Sequence, residues 1–563
     1  MKYGFILDNR KCIGCHACTV ACKSEHRVPI GVNRTWVKYI EKGTFPDSRR
    51  YFTVMRCNHC ENPPCVDICP VGALFQRDDG IVDFNNQRCI GCKSCTQACP
   101  YDSLYIDPDS MTAAKCNFCA HRIDQGLNPA CVTICPEEAI ICGDMDNPHS
   151  AISKIMGRNQ LQTRKAEKGT TPKLYYINSE ASALHPMAAP PTNQYQQFSQ
   201  AAGVGHYAKF SEKRIRNDES QFGRNLHLNQ ADYEKETLAA NRVFLADAGG
   251  QDAKLLKGVI ARTHDAPSKG PQWGWELPAY LWSKAISAGV FLIMASFSIF
   301  GYSEVRLVVD ENDMSLQIAL KNFSWFSVIS SLGFLVLTTF FLIKDLDKPS
   351  RFLYVILRPQ FKSWLTRGGY LLSVFGFFLF IWITGNLAEI PLLKAVGHLG
   401  GFASGLVLGI YTGFLLAQAK GRDFWQSPML PLHMLMHTII GGAGFLIMTS
   451  AFNFITPYML ELLKYTLIIA LLINLVVIAL ELKVPHPTSD ARLAVGMITG
   501  RKFGWLFYCG VLLIGHAIPL VILYPGMSDT FFLAPALAGI CTLAGIYITE
   551  HIWIRAPQLV ALS

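Results

Sequence analysis

The stretch that decides the fold opens with CIGCHACTVAC at residues 12–22, ends at Pro136 and holds sixteen of the nineteen cysteines. These sixteen fall into four groups of four. Groups one and three share the spacing C-x2-C-x2-C-x3-C, whereas the second gap widens to four residues in group two and to eleven in group four. The groups are Cys12, Cys15, Cys18 and Cys22; Cys57, Cys60, Cys65 and Cys69; Cys89, Cys92, Cys95 and Cys99; and Cys116, Cys119, Cys131 and Cys135. The repetition indicates one kind of metal-binding loop used four times.

This spacing is typical of iron–sulfur ligation. Two-residue gaps let three thiolates of one tight loop converge on one cube, and in bacterial ferredoxins the fourth cysteine of such a run ligates another cluster. A proline after the last cysteine of groups two, three and four ends the run, because it removes a backbone donor. Four groups paired in this way predict four [4Fe-4S] clusters that conduct electrons.

Three other uses of the cysteines are weaker. Structural zinc sites take two separated C-x2-C pairs, without a third cysteine three residues further on. A disulfide framework suits small secreted chains, but four repeated C-x2-C pairs with C-P endings argue against it. Residues 12–16 match the C-x2-C-H signature of covalent haem attachment. However, Cys18 and Cys22 follow at cluster spacing, and Lys93 replaces the histidine in group three.

Composition separates the two halves of the chain. Of the 563 residues, 50% are hydrophobic and only 17% charged, which is too apolar for an ordinary soluble protein. The apolar excess lies in the C-terminal half. The formal net charge is +9, but the basic residues collect in loops beside apolar spans, where they determine membrane topology. We therefore expect no nucleic-acid binding.

The sequence predicts an α+β ferredoxin-like multi-cluster domain followed by an all-α eight-helix transmembrane bundle. The predicted domains are a cluster domain over 1–179, an extended polar linker over 180–272 and a membrane domain over 273–563. Within the cluster domain, strands are expected near residues 3–7, 51–55 and 81–84. The insertion over 30–51 is expected to be a packing or partner-facing loop.

Eight apolar spans from residue 273 onward each approach the ~20 residues that cross a bilayer. They are residues 279–301, 325–344, 368–386, 396–418, 430–453, 461–481, 503–524 and 531–553. An even number of spans puts both termini on one side. In span four, Gly397, Gly401, Gly405, Gly409 and Gly413 recur every four residues. That row predicts close helix–helix contact.

Charge in the loops predicts the orientation. The loops and tail on the side of the cluster domain hold thirteen basic residues: Lys344, Lys348, Arg351, Arg358, Lys362, Arg367, Lys420, Arg422, Lys483, Arg492, Arg501, Lys502 and Arg555. The opposite loops hold four: Arg306, Lys321, Lys394 and Lys464. The positive-inside rule then places the cluster domain on the cytoplasmic side of a multi-pass protein of the inner membrane. No export signal precedes Cys12, which agrees with this orientation.

Ionisable residues in membrane spans are costly, so they are candidates for a functional site. Here they gather at the ends of the spans that face the cluster domain. Aromatic, acidic and imidazole groups suit a quinone pocket, where ring carbonyls need hydrogen-bond donors and a proton carrier. The candidates are Glu276, Tyr280, Arg358, His433 and His437, with Glu481, Glu550 and His551 at nearby span ends. A b-type haem is the alternative, with His551 or His486 as a partner for His433.

Two parts of the chain resemble known families. Residues 1–179 resemble the four-cluster electron-transfer subunits of the DMSO-reductase superfamily in all four cysteine groups. Residues 273–563 resemble the NrfD/PsrC-type membrane subunit, an eight-helix anchor that reacts with quinone. The second resemblance rests on WGWELPAYLW at residues 273–282 and on the loop with Asp345, Pro349 and Arg351.

The resemblance implies a ligand pairing across the groups. Cys12, Cys15 and Cys18 would share a cluster with Cys135, and Cys22 with Cys116, Cys119 and Cys131. Cys57, Cys60 and Cys65 would share one with Cys99, and Cys69 with Cys89, Cys92 and Cys95.

The resemblance also implies a separate molybdopterin catalytic subunit, because nothing in this chain could bind that cofactor. This chain would then relay electrons between that subunit and menaquinone or ubiquinone in the lipid bilayer, as a subunit of a quinone-dependent respiratory oxidoreductase. The chain departs from the families in two ways, because the two subunits are usually separate chains and many relatives face the periplasm. The alternatives are a module of a larger complex that also translocates protons, or a redox scaffold without turnover.

Overall fold

The computed structural model describes residues 1–44, 46–186, 261–264, 270–298, 314–452, 455–500, 502–524 and 533–562. The chain divides into two units. The first unit comprises Met1–Gln272, Pro487–Ser489 and Ala561–Ser563, and the second comprises Trp273–His486 and Asp490–Val560. Most of the predicted linker, over 187–260 and 265–269, lies outside the described residues.

The first unit is built from short strands and short helices. Its strands are β1 (Tyr3–Asp8), β2 (Thr35–Thr44), β3 (Asp47–Arg56), β4 (Leu74–Gln76), β5 (Val82–Phe84), β6 (Leu104–Asp107), β7 (Thr112–Lys115), β8 (Ile140–Asp144), β9 (Leu161–Gln162), β10 (Leu174–Ile177) and β11 (Ala261–His264). They form a four-stranded sheet in the order β8-β1-β10-β9, a three-stranded sheet in the order β11-β2-β3, and the hairpins β4-β5 and β6-β7. The three predicted strands are confirmed as β1, part of β3 and β5.

The predicted loop over 30–51 was wrong, because most of it forms β2 and the first half of β3. Val37 and Tyr39 of β2 pack into the cysteine-rich core, whereas Lys38 and Ile40 point to the other face and are also buried. Both faces are covered, so the strand lacks the alternation of apolar and polar residues that marks a half-exposed strand.

Tight loops and short helices position the cysteines. The helices are α1 (Ala17–His26), α2 (Pro64–Asp67), α3 (Ser94–Ala98), α4 (Ala120–Ile123), α5 (Ala130–Thr133), α6 (Ala151–Met156) and α7 (Ala181–Leu184). In groups one and three the loop turns at Gly14 and Gly91, both with φ of 72°, a left-handed conformation that glycine adopts without strain. At Gly14 a Cβ would also lie 2.6 Å from the ring of Tyr39.

The second unit is helical. Its helices are α8 (Glu276–Ser296), α9 (Met314–Lys344), α10 (Tyr354–Leu357), α11 (Trp364–Leu387), α12 (Pro391–Ala417), α13 (Leu430–Met448), α14 (Pro457–Lys483), α15 (Ser489–Thr499), α16 (a π-helix over Leu506–Ala517 that continues as an α-helix over Ile518–Ile522) and α17 (Ala534–Gln558). Long helices that follow each other run antiparallel. For example, Gly368 near the start of α11 meets Tyr411 near the end of α12, and Gly397 of α12 meets Trp382 of α11.

Among the described residues, seven helices are long and apolar enough to cross a membrane: α8, α9, α11, α12, α13, α14 and α17. They correspond to seven of the eight predicted spans. The remaining span, predicted over 503–524, corresponds to α16, which is apolar but only 17 residues long. That length lies at the lower limit for a spanning helix, so the helical bundle is confirmed with one shorter member.

The glycine row of α12 allows close packing, as predicted. A Cβ at Gly397 would lie 2.7 Å from the backbone of Trp382, and one at Gly413 would lie 2.6 Å from Cα of Pro431. A Cβ at Gly409 would lie 3.1 Å from Oγ1 of Thr438. Side chains at these positions would therefore push α12 away from α11 and α13.

Candidate functional site

The first candidate site is formed by cysteines that are distant in sequence. Cys12 lies within electrostatic reach of Cys15 and Cys135, and Cys18 lies within reach of Cys12 and Cys15. We call Cys12, Cys15, Cys18 and Cys135 set A. Both Cys22 and Cys119 lie within reach of Cys116 and Cys131. We call Cys22, Cys116, Cys119 and Cys131 set B.

Cysteine groups two and three also each contribute one cysteine to the set formed mainly by the other. Cys65 lies within electrostatic reach of Cys99, Cys57 and Cys60, and these four are set C. Cys95 lies within reach of Cys92, Cys89 and Cys69, and these four are set D. One cavity is lined by all four cysteines of set D, together with apolar residues such as Ile90. Each set thus takes three cysteines from one group and one from another.

The four sets follow one another in space. Cys18 of set A is a neighbour of Cys131 of set B, and Cys57 of set C is a neighbour of Cys116 of set B. Cys65 of set C is likewise a neighbour of Cys95 of set D. The order is therefore A, B, C, D. An electron carrier at each set would give a continuous path through the unit.

The thiols fit a polynuclear iron–sulfur cluster. All nineteen cysteines lie in the described residues, and none of them forms a disulfide bond. In the part of the chain that the structure describes, no three Cys, His, Asp or Glu side chains are grouped closely enough to hold a single ion. Burial raises the pKa of Cys18 and of Cys92 to about 12, so both are protonated near neutral pH without a cluster. Cluster assembly must therefore release these protons.

The second candidate site is a buried polar group at one end of the helical unit. Nδ1 of His433 on α13 donates a hydrogen bond to Oε2 of Glu481 on α14, at 2.7 Å. The indole Nε1 of Trp553 on α17 donates to the same oxygen at 2.9 Å. His433 and Glu481 are almost fully buried, at 0% and 3% exposure. Three helices thereby fix one imidazole and one carboxylate.

An equivalent pair lies one helical turn further along α13. Nδ1 of His437 donates to Oε1 of Glu550 on α17 at 2.6 Å, and both residues are buried. The two imidazole rings lie 4.3 Å apart between centroids. Nε2 of His433 and Nε2 of His437 are buried without a hydrogen-bond partner among the described residues. Each Nδ1 proton is held by a carboxylate, which leaves each Nε2 as the atom that can accept or deliver a proton.

A buried lysine lies near the second pair. Nζ of Lys284 on α8 donates to Oγ1 of Thr412 on α12 at 2.8 Å and lies 5.3 Å from the ring centroid of Tyr411. Lys284 is 1% exposed, and Glu550 lies within electrostatic reach of it. An amine inside a helical bundle is costly unless a partner compensates its charge. Through its hydrogen bond to Thr412, Lys284 extends the polar group toward α12.

Among the described residues, the other predicted quinone residues form no hydrogen bond with this group. Tyr280 is buried in α8, and Glu276, at the start of α8, is partly buried within electrostatic reach of Tyr547. Arg358 is exposed, with its guanidinium 4.8 Å from the ring centroid of Tyr354. Of the five predicted residues, His433 and His437 lie side by side on α13, with ring centroids 4.3 Å apart.

Sequence reasoning did not predict the partners of these histidines. In the sequence, Glu481 and Glu550 are only residues at span ends, and no pattern singles out Trp553 or Lys284. The i, i+4 spacing of His433 and His437 places both rings on one face of α13, a signal that was available. No spacing shows that α14 and α17 supply the matching carboxylates. Glu481 is 48 residues from His433, and Glu550 is 113 residues from His437.

Models of known protein families match residues in both units. Models of a 4Fe-4S dicluster domain match residues 11–74 and 48–145. The model for polysulphide reductase, NrfD, matches residues 266–560, which is more than half of the chain.

Individual relatives match the first unit. A tetrathionate reductase subunit of Salmonella typhimurium is 43% identical over 190 residues, which cover 33% of this chain and 76% of that protein. A polysulfide reductase chain of Wolinella succinogenes is 42% identical over 188 residues, covering 32% of this chain and 97% of that protein. Protein NrfC of Escherichia coli is 43% identical over 181 residues, covering 31% and 81%. The chain therefore belongs to the polysulphide reductase NrfD family, and it carries a 4Fe-4S iron–sulfur domain in the same polypeptide.

Proposed function

We propose that this chain is the electron-transfer and membrane subunit of a quinone-linked respiratory oxidoreductase. It relays electrons through four [4Fe-4S] clusters between a catalytic partner and the quinone pool. The observation that carries the proposal is the gathering of sixteen cysteines into sets A to D, in a linear order. The names of the relatives, which include tetrathionate and polysulfide reductases, favour a reductase complex.

The cysteine sets are proposed as the cluster ligands. Each set offers four sulfurs, the number that a [4Fe-4S] cluster takes from protein. When bound, the clusters supply one-electron transfer. The chain holds them in order, buries all the cysteines of sets B and C, and keeps adjacent sets close enough for Cys18 and Cys131, or Cys57 and Cys116, to interact.

The paired histidines are proposed as the proton-exchanging groups of the quinone site. A quinone takes up two electrons and two protons when it is reduced, and it returns both when the quinol is oxidised. The His433–Glu481 and His437–Glu550 pairs can each hold one transferable proton, with the carboxylate stabilising the imidazolium. Glu276, Tyr280 and Arg358 are proposed as further contacts at the same end of the helices, and the quinone is menaquinone or ubiquinone.

The catalytic chemistry is proposed to reside on a separate molybdopterin subunit. We further propose that the cluster domain faces the cytoplasm, because the loops that the sequence predicts on its side hold thirteen basic residues and the opposite loops hold four.

Iron and quinone measurements test the proposal. Anaerobically purified complex should contain about sixteen irons and sixteen acid-labile sulfides per chain, and it should reduce a quinone or oxidise a quinol. About eight irons or fewer would contradict four clusters. Full iron content without quinone turnover, in a complex whose catalytic subunit is identified by mass spectrometry, would instead favour a redox scaffold.

Lys284 supports a second candidate function, proton transfer into the membrane interior. His433, His437, Glu550 and Lys284 form a buried series of ionisable groups that continues beyond the paired histidines. In proteoliposomes, quinone turnover by the intact complex should then move protons across the bilayer. Lys284→Met should abolish that movement while quinone turnover continues. Equal proton movement in this variant would exclude the path.

A further inference from the structure

Each cysteine group is directly preceded by a basic residue: Lys11, Arg56, Arg88 and Lys115. These four equivalent positions have different environments. Lys11 and Arg88 are exposed to solvent, whereas Arg56 and Lys115 are both 0% exposed. Two of the four cations are therefore shielded from water, and the other two are natural controls for them.

Arg56 lies between sets A and B. Its Nη1 donates to Sγ of Cys131 at 3.2 Å, and its guanidinium lies 4.5 Å from the ring centroid of Phe5. Burial alone disfavours its charge, but Cys131, Cys116 and Cys18 outweigh that cost and raise the pKa of Arg56. Cys18 belongs to set A and the other two to set B, so one cation serves both sets.

Lys115 lies between sets B and C. Its Nζ is 3.7 Å from Sγ of Cys57, a member of set C. The same Nζ donates to the carbonyl of Cys116, a member of set B, at 2.8 Å, and to the carbonyl of Val82. Arg56 and Lys115 thus occupy two successive junctions in the order A, B, C.

Within the described part of the chain, neither cation forms an ion pair with a carboxylate. A buried charge without compensation is strongly unfavourable, and the acidic groups in hydrogen-bond contact with these cations are the sulfurs of Cys131 and Cys57. Reduction of a cluster adds one electron and makes its charge more negative by one. A fixed cation at contact distance stabilises this reduced form more than the oxidised form, and burial strengthens the effect because the local dielectric is low.

We propose that Arg56 and Lys115 raise the reduction potentials of the clusters at sets A, B and C, with set B affected by both residues. This inference rests on the four-cluster assignment proposed above. Neither cation is a hydrogen-bond partner of set D. These two charges therefore raise the potential of the cluster at set D less than the potentials of the other three clusters. With these two charges present, electron transfer among the clusters at sets A, B and C is more favourable than electron transfer onto the cluster at set D.

The test is an anaerobic redox titration of the whole complex, followed by EPR. Arg56→Gln should lower the potentials of two clusters, those at sets A and B. Lys115→Gln should also lower the potentials of two clusters, those at sets B and C. The cluster at set B is therefore affected in both variants. The expected shift is at least tenfold in the one-electron equilibrium, which is about 59 mV. Lys11→Gln and Arg88→Gln should leave all potentials unchanged, because solvent screens those charges.

Iron analysis separates this inference from the four-cluster proposal. A wild-type content of about eight irons would refute the cluster count, whereas full iron content with unshifted potentials in both buried variants would refute the role of the cations. If the Arg56→Gln variant loses iron, the Arg56→Lys variant tests the role of the charge instead. It retains the charge, so full iron content with wild-type potentials supports the inference, and full iron content with lowered potentials overturns it.

Discussion

Nδ1 of His433 lies 2.7 Å from Oε2 of Glu481, and both side chains are shielded from solvent inside a helical bundle. The carboxylate also accepts a hydrogen bond from Trp553. Breaking a buried charged pair typically costs about 3–5 kcal/mol, because the remaining charge is left without a partner. Burying two such pairs side by side carries a large desolvation cost. That cost indicates that the pairs have a function.

We expect Glu481→Gln and Glu550→Gln to slow quinone-linked turnover by about 100-fold, the size of a lost general acid or base. An amide cannot stabilise the imidazolium, so His433 or His437 loses its proton-accepting role. Cluster EPR signals should not change. Steady-state kinetics with a soluble quinone measures the effect, and Glu461→Gln is the control. Glu461 is an acid on the same helix, α14, but it is exposed and pairs with Lys464 near the other end. Unchanged turnover in both pair variants would move the quinone site elsewhere.

We expect Cys12→Ser and Cys135→Ser to perturb the same EPR signal, although 123 positions separate them in the sequence. Both belong to set A, in which Cys12 and Cys135 lie within electrostatic reach of each other. Cys22→Ser is the matched control. It lies on the same short helix, α1, as Cys18, but it belongs to set B. If Cys12→Ser and Cys22→Ser shared one signal while Cys135→Ser affected another, the cross-pairing would be wrong.

We expect Gly397→Ala to destabilise the membrane unit by about 1–3 kcal/mol, the usual cost of overpacking. The added Cβ would lie 2.7 Å from the backbone of Trp382, which cannot move without shifting α11. Thermal unfolding of the complex in detergent measures the loss. Gly333→Ala on α9 is the control, because its Cβ would meet nothing within 4 Å. The control should keep or slightly increase stability, since alanine favours helix over glycine. Equal melting temperatures for the two variants would show that the α11–α12 contact tolerates a methyl group.

We expect a reporter fused after Ser563 to be active only in the cytoplasm. The expectation follows from the excess of basic residues in the loops on the side of the cluster domain. A second reporter fused in the loop after α12, at Lys420, should behave in the same way, whereas one fused at Glu389 between α11 and α12 should report the opposite side. Periplasmic activity at Ser563 would reverse the orientation.

The sequence by itself determined the features that depend on local spacing. Four cysteine groups specify iron–sulfur loops because two-residue gaps set the reach of the thiolates. Apolar runs specify membrane helices because length and hydropathy are properties of a segment. The glycine row of α12 specifies close packing because glycines every four residues share one helix face.

Only the tertiary structure decided which distant residues meet. It brings Cys135 to Cys12 and fixes the spatial order of sets A to D. It also buries Arg56 and Lys115 while leaving Lys11 and Arg88 in solvent, although all four occupy the same position before a cysteine. Glu481 and Glu550 read as helix ends in the sequence, and they become partners of His433 and His437 only when α14 and α17 pack against α13. The physical reason is that burial and charge pairing depend on the contacts between elements, which residue spacing along one element does not contain.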